Sequence, residues 1–393
     1  MKIKFNRIAV IVTVLLISGS ASLLLAESTL RILGISFPVF HTFDNERGKA
    51  LLPGKKGWYR GEGEAYIEIN SAGYRDRENS EEKEPGTYRI AVIGDSYVEA
   101  RQVALEHTFV RRLEDYLLPC QSPLYDKIET LNFGQSDYGT TDEFLTLKKD
   151  VWRYDPDMVL TAFFHGNDLR NNFPDIWCQE RGCSHEFRPF YYFDQGVLTL
   201  DTSFRELTPK LALNRSLLSG VHHLRTLELV NQSLRVFGNW RVQGNIDYAF
   251  QETGLTEFVY APPRLPVHEK AWAITEGVLD LLYKEVVAHQ AQFFLVMVTN
   301  PSQIDPVQRK LLKERLGVET LDYPEKRLIK FGERLGFPVL DLMRPFQQYA
   351  DENQVYLHGF PNTRMGAGHW NEKGHDLAAK LIAEKICRDL ILH

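Results

Sequence analysis

Apolar positions along the chain follow two alternating patterns. Short, nearly unbroken apolar runs occur at Tyr88–Ile93, Met158–Phe164 and Phe293–Val298, with shorter mixed segments at Ile128–Leu131 and Pro338–Leu342. Runs of that length, rich in β-branched and aromatic residues, predict strands buried on both faces. Between them the apolar residues recur every three or four positions, which predicts helices. One helix is expected over about Glu106–Leu118, with Phe109, Leu113 and Leu117 on one side, and another over about Thr141–Tyr154, with Phe144, Leu147 and Val151. Further helices are expected over about His268–His289, with Trp272, Leu279, Leu282 and Val286, over about Pro324–Leu335, and over about Lys373–Leu390. Strands alternating with helices imply right-handed crossovers. The fold class predicted is α/β: a three-layer α/β/α, flavodoxin-like domain with a five-stranded, mostly parallel sheet.

Three stretches depart from that alternation. Ile8 to Ala26 is an uncharged run of nineteen residues, preceded by Lys2, Lys4 and Arg7 and ended by Glu27. Its length and basic flank predict a membrane anchor or a signal segment over residues 1–26, with the remainder exported. Gly19-Ser20-Ala21 is a conceivable cleavage site, but cleavage would leave Ser22-Leu23-Leu24-Leu25 at the new end, so the uncleaved anchor is preferred. Residues 27–86 carry Pro, Gly and charge with weak periodicity and read as a lead-in packed on the main domain. Within it Ile67–Asn70 alternates like a strand and Asn70–Asp76 reads as a turn. Residues 170–266 interrupt the main domain (87–393) and are expected to form a cap beside its active face. There Phe190–Phe193 and Val197–Leu200 flank Asp194-Gln195-Gly196, a hairpin signal, and 215–241 looks helical.

Composition narrows the class. With 44% hydrophobic and 25% charged residues, the chain can fill a full core. Its net charge of -6 is spread without long single-sign runs, which argues against a nucleic-acid partner. The four cysteines suit an oxidising compartment. Cys178 and Cys183 could close a small loop, and Cys120 and Cys387 could bridge the first and last helices of the domain. Their spacing matches no zinc pattern, and no metal or organic cofactor is expected.

Candidate chemistry lies in loops that follow strands: Gly94-Asp95-Ser96, Gly134 to Thr140, and His165-Gly166-Asn167-Asp168, together with the late segment Gly368 to His375. Open α/β sheets place ligands at the carboxyl ends of their strands. A nucleophilic serine there needs a base, for which histidine is the common choice. Acyl transfer also needs N–H donors for the developing oxyanion.

On these residues the chain resembles the SGNH, or GDSL, hydrolase superfamily, over roughly 87–171 and 268–392. The resemblance implies that Ser96 is the nucleophile, that His369 of His369-Trp370-Asn371 is the base, and that Asn167 donates to the oxyanion. The family's second block presents a glycine N–H to the same hole; aligned on Asn132-x-Gly134, that position is Asp137, with Gly139 two residues on. Two departures follow. Asp137 places a carboxylate near a developing anion, and the acid usually found two or three residues before the histidine is replaced by Ala367 and Gly366. A backbone carbonyl or a remote carboxylate such as Asp341 could steady the imidazole instead. His375 reads as structural, and His165 and His358 lie near the expected rim. The resemblance implies a serine esterase acting on an acylated small molecule, glycan or lipid on the extracytoplasmic side of the membrane, or secreted if the anchor is cleaved. The alternatives are an O-acyltransferase, or an inactive binding or scaffold protein with an envelope protein partner.

Overall fold

The computed structural model describes residues 2–120, 125–181, 188–207, 223–243 and 257–389. The chain divides into two units, residues 40–207 with 249–393 and residues 1–39 with 208–248.

The larger unit is built on five parallel strands. They are β5 (Thr87–Gly94), β6 (Lys127–Asn132), β7 (Met158–Phe163), β10 (Gln292–Met297) and β11 (Val339–Asp341), in the spatial order β6-β5-β7-β10-β11. Every pairing in this sheet is parallel, so the sheet is wholly rather than mostly parallel. The chain steps from β5 outward to β6 and then returns to the other side of β5 as β7. That reversal opens a crevice at the carboxyl ends of β5 and β7.

Side chains alternate across each strand and feed two separate cores. Ala91, Ile93, Val159, Leu295 and Met297 join one cluster; Ile90, Val92, Leu160, Phe294 and Val296 join the other. The first face is covered by α4 (Thr140–Thr146), α5 (Asp168–Asn172), α8 (Pro266–Ala288) and α11 (Tyr323–Leu335). The second is covered by α3 (Phe109–Leu117), α12 (Met343–Asn353) and α13 (Glu372–Asp389). Phe109, Leu113 and Leu117, spaced for one face, are all buried. A disulfide joins Cys120 to Cys387, tying the end of α3 to α13. Cys178, on α6 (Pro174–Arg181), is also disulfide-bonded, and the expected partner Cys183 lies outside the described residues.

Several elements escape the sequence pattern. The helix expected over 141–154 is regular only to Thr146; a wide turn at Leu147–Val151 and a tight one at Trp152–Tyr154 complete it. The lead-in holds two hairpins, β1 (His41–Asp44) with β2 (Gly48–Leu51), and β3 (Lys56–Tyr59) with β4 (Ala65–Glu68). Buried Arg75 donates to the carbonyls of Glu99, Ala100 and Val103, and Asp76 Oδ2 accepts the Asn132 N–H at 2.9 Å. The lead-in therefore buttresses the loops at the ends of β5 and β6. The hairpin β8 (Phe190–Asp194) with β9 (Val197–Asp201) forms as expected, but Tyr191, Leu198 and Leu200 pack into the first core cluster.

Residues 170–266 are not one body. The smaller unit pairs α1 (Lys2–Ile32) with a helix from that insertion, α7 (Arg225–Gln243). The first part of the helix expected over 215–241 lies outside the described residues. In α1 the window Arg7–Ile32 is long and apolar enough to cross a membrane.

Candidate active site

β5 ends at Gly94, and the chain turns at once into α2 (Ser96–Glu99). Asp95 caps this short helix, its side chain accepting the Tyr97 N–H at 2.9 Å, so Ser96 is its first residue and stands half-exposed at the rim. Gly134, after β6, lies directly against α2: an added Cβ would come within 2.4–2.6 Å of Val98 and the Glu99 backbone nitrogen. No side chain fits there, which explains the glycine.

The His369 loop is anchored on both sides. Trp370 is wholly buried among Tyr97, Phe109 and Phe346, and its Nε1 donates to Thr299 Oγ1 at 2.8 Å. Asn371 Oδ1 accepts the N–H groups of Lys373 and Gly374, capping α13. The block His369-Trp370-Asn371 is thus a packing plug and a helix cap that hold the imidazole between them. His369 Nε2 lies 2.7 Å from Ser96 Oγ.

The other ring nitrogen has a carboxylate. Glu62, in the loop joining β3 to β4, places Oε2 2.5 Å from His369 Nδ1, while its Oε1 accepts the His369 backbone N–H at 2.7 Å. The loop itself is clasped: Gly63 N–H donates to Asn362 Oδ1, and Asn362 Nδ2 donates back to the Gly63 carbonyl, both at 2.9 Å. Burial acts to raise the Glu62 carboxyl, but the His369 ring and its backbone N–H outweigh it and hold the group below its ordinary value. Asp341 takes no part at His369; its Oδ1 accepts the Met343 N–H at the start of α12. The position three before the histidine is occupied by Gly366 at φ +79°, where an added Cβ would meet Asp305 and Tyr356. The left-handed backbone and those close contacts strain any side chain at that position.

Asn167, at the end of β7, caps α5 and donates from Nδ2 to Asp95 Oδ2 at 2.7 Å. This bond ties the ends of β5 and β7 together and leaves the second Nδ2 proton for another acceptor. Asp137 adopts φ +70°, the conformation glycine favours. Its carbonyl accepts from Asn171 Nδ2 and Arg188 Nη2, and its carboxylate lies 3.7 Å from Arg170 Nη2. The Asp137 charge is therefore set against cations rather than standing alone. Lys49 adds another contact to this loop, donating to the Ser136 carbonyl at 3.0 Å. Gly139 differs from expectation: its N–H donates to Asp142 Oδ2 at 3.0 Å as part of the α4 cap, which commits that donor.

Behind Ser96 lies a group of buried carboxyls, Asp95, Asp142, Glu143 and Asp168. Burial pushes Asp95 up to about 6, against the N–H of Tyr97 and the amide of Asn167. Glu143 and Asp168 are raised well above their ordinary values by burial and by their mutual repulsion with Asp95. Asp168 is a buried cap, its Oδ2 accepting the Phe164 N–H. His375 Nδ1 accepts the Phe109 N–H at 3.3 Å and stacks on that ring, so its role is structural. His358 is bonded to Thr299, and His165 is fully buried, so neither forms an open rim. Among the described residues no cluster of His, Cys, Asp or Glu is arranged to hold a metal ion.

The carboxylate is the residue that sequence reasoning misses. Glu62 stands 307 positions from His369, in a stretch without periodicity, and its only local mark is a glycine on either side.

No family model matches the chain, and no curated protein matches it. Among solved structures, the chain is similar to a catalytic mutant of Axe2, an acetylxylan esterase from Geobacillus stearothermophilus, at 14% identity and a TM-score of 0.40, covering 76% of this chain and 94% of that one. It is similar to a GDSL-like lipase from Bacteroides thetaiotaomicron at 11% identity and a TM-score of 0.33, covering 77% and 89%. A third is LAE5, an alpha/beta hydrolase enzyme from the metagenome of Lake Arreo, Spain, at 13% identity and a TM-score of 0.37, covering 76% and 94%. The chain resembles the SGNH, or GDSL, hydrolases in the order of its blocks and in the strand ends that carry them.

Proposed function

We propose that this chain is an exported serine ester hydrolase, held at the membrane by α1, in which Ser96 is the nucleophile, His369 the general base and Glu62 the positioning carboxylate. The observation that carries the reading is the unbroken series Ser96 Oγ to His369 Nε2 at 2.7 Å and His369 Nδ1 to Glu62 Oε2 at 2.5 Å. A carboxylate on Nδ1 keeps the proton there, leaving Nε2 as the acceptor that Ser96 needs.

The chemistry follows from those positions. Ser96 Oγ attacks the acyl carbonyl while His369 Nε2 takes its proton. The oxyanion that forms is met by the second Nδ2 proton of Asn167 and by backbone N–H groups at Ser96 and Asp137. The Ser96 N–H has no acceptor within its own helix because it belongs to the first turn. As the intermediate collapses, His369 returns the proton to the leaving alkoxide, and an acyl-serine remains. A water then attacks the acyl carbon, losing its proton to His369; the acid departs and Ser96 recovers its proton. The substrate class is an acylated glycan, lipid or small molecule outside the cytoplasm. The disulfide Cys120–Cys387 supports that compartment.

The test is reaction of the purified full chain with a fluorophosphonate probe beside Ser96→Ala. Labelling that disappears in the variant supports an activated serine. A folded protein that takes no label overturns the reading and favours a binding role.

A further inference from the structure

We infer that α7 is a second membrane element, an interfacial helix that lies in the outer headgroup layer beside the end of the anchor. The inference rests on the reading of α1 as a membrane anchor.

Glu27 is the first charged residue after the uncharged run Ile8 to Ala26. A carboxylate is costly in hydrocarbon, so Glu27 marks the outer limit of the span. At about 1.5 Å per residue, the nineteen residues before it cover about 28 Å, the thickness of a hydrocarbon core. Glu27 also caps α7. Its Oε1 accepts the Arg225 N–H at 3.1 Å, and its Oε2 accepts the Thr226 N–H at 2.9 Å and the Thr226 hydroxyl at 3.1 Å. Arg225 Nη1 donates to the Leu30 carbonyl at 2.8 Å, Arg31 Nη2 donates to the His223 carbonyl at 2.9 Å, and the Phe37 N–H donates to Glu228 Oε2 at 3.1 Å. A carboxylate on the N-terminal N–H groups of a helix is favourable capping and dipole chemistry. These bonds fix the first turn of α7 at the depth where the span ends.

From there α7 does not run back along the anchor, because every residue from Ile8 to Ala26 is exposed. Its most exposed apolar residues among those described are Val230 and Leu234, four apart, at 53% and 66%, with Leu227 on the same side at 36%; Leu229, on another side, is at 37%. Gln232, on the opposite side, is half-buried. The charge pattern names the occupant. After Glu228, the helix through Gln243 holds Arg235 and Arg241 and no acidic residue. A basic helix with an apolar stripe, pinned at the boundary of a bilayer, suits an anionic lipid surface.

The test uses the full chain in liposomes containing phosphatidylglycerol. Single-cysteine variants Leu16→Cys, Val230→Cys, Leu234→Cys and Gln232→Cys are labelled with an environment-sensitive fluorophore. Cys120, Cys178 and Cys387 are disulfide-bonded and do not compete for the label. Nitroxides attached high on the lipid acyl chains then report contact with the bilayer. The expected result is strong quenching with a blue-shifted emission at positions 230 and 234, and weak quenching at 232. Quenching by deep nitroxides at position 16, with labels at 230 and 234 open to aqueous quencher or shielded from both phases, overturns the inference while leaving the anchor in place. No lipid quenching at position 16 overturns the anchor and the inference with it.

Discussion

Replacing Glu62 by Gln exchanges one carboxylate oxygen for an NH₂ group and removes one charge. The Glu62 carboxylate accepts two hydrogen bonds from one residue, the His369 Nδ1 side at 2.5 Å and the backbone N–H at 2.7 Å. A carboxamide has a single accepting oxygen. If that oxygen keeps the backbone N–H, the NH₂ group faces Nδ1 and favours the tautomer whose proton sits on Nε2. That tautomer cannot accept the Ser96 proton. In a serine triad the corresponding loss lowers turnover by about four orders of magnitude, which is about 5.4 kcal/mol of transition-state stabilisation. The loop should stay in place, because the paired bonds between Gly63 and Asn362 do not involve the carboxylate. The expectation is therefore a fluorophosphonate labelling rate reduced by about 10³–10⁴ with the melting temperature little changed. Asp341→Asn serves as the control and should label at the wild-type rate, since Asp341 bonds to Met343. A Glu62→Gln protein that melts normally and labels within tenfold of wild type would refute the assignment of Glu62.

Asp137→Gly removes a carboxylate from the rim at a position whose φ of +70° suits glycine. Relief of the left-handed strain and the added chain entropy nearly offset each other, so stability should change by less than about 1 kcal/mol. The serine should label at least as fast as before, and a large fall would mean that the side chain itself is needed. Asp95→Asn tests the buried carboxyl at the end of β5. The folded value of about 6 lies above the ordinary 3.8, so between those values the folded state holds more protons than the unfolded one. Stability therefore falls as pH rises through that window, and Asp95→Asn should flatten the slope in melting curves; an unchanged slope would contradict the assignment. Cys120→Ser opens a loop of 267 residues. Chain entropy sets a ceiling of about 5.6 kcal/mol on the loss, and about 2–5 kcal/mol is expected by denaturant titration. No measurable loss would show that packing between α3 and α13 alone holds that edge.

The sequence by itself determined the framework of the larger unit, because its signals are local. Short segments rich in apolar residues found all five central strands, and apolar residues at intervals of three and four found α3, α4 and α8 among the helices that cover them. Ser96, Asn167 and His369 were legible for the same reason. Each sits in a short block set by a nearby strand end or helix start, and such blocks keep their meaning wherever the chain goes. The helices α9 (Pro301–Ile304), α10 (Pro306–Leu316) and α12 went unread, the last although Met343, Phe346 and Ala350, spaced three and four apart, are all buried. Of the lead-in hairpins only β4 was legible in part, in the alternation at Ile67–Asn70; β1, β2 and β3 were missed, each only four residues long.

Only the tertiary structure decided which carboxylate meets His369. With 52 acidic residues in the chain, nothing in the composition singles out Glu62. Its position depends on a hairpin loop meeting a segment three hundred residues away, where Gly63 and Asn362 are also bonded. The same holds for Gly139, whose N–H is taken by the cap of α4, and for the insertion, part of which joins α1 rather than the larger unit. A hydrogen bond is decided by where its two partners come to lie, and distant partners are brought together only by the packed chain.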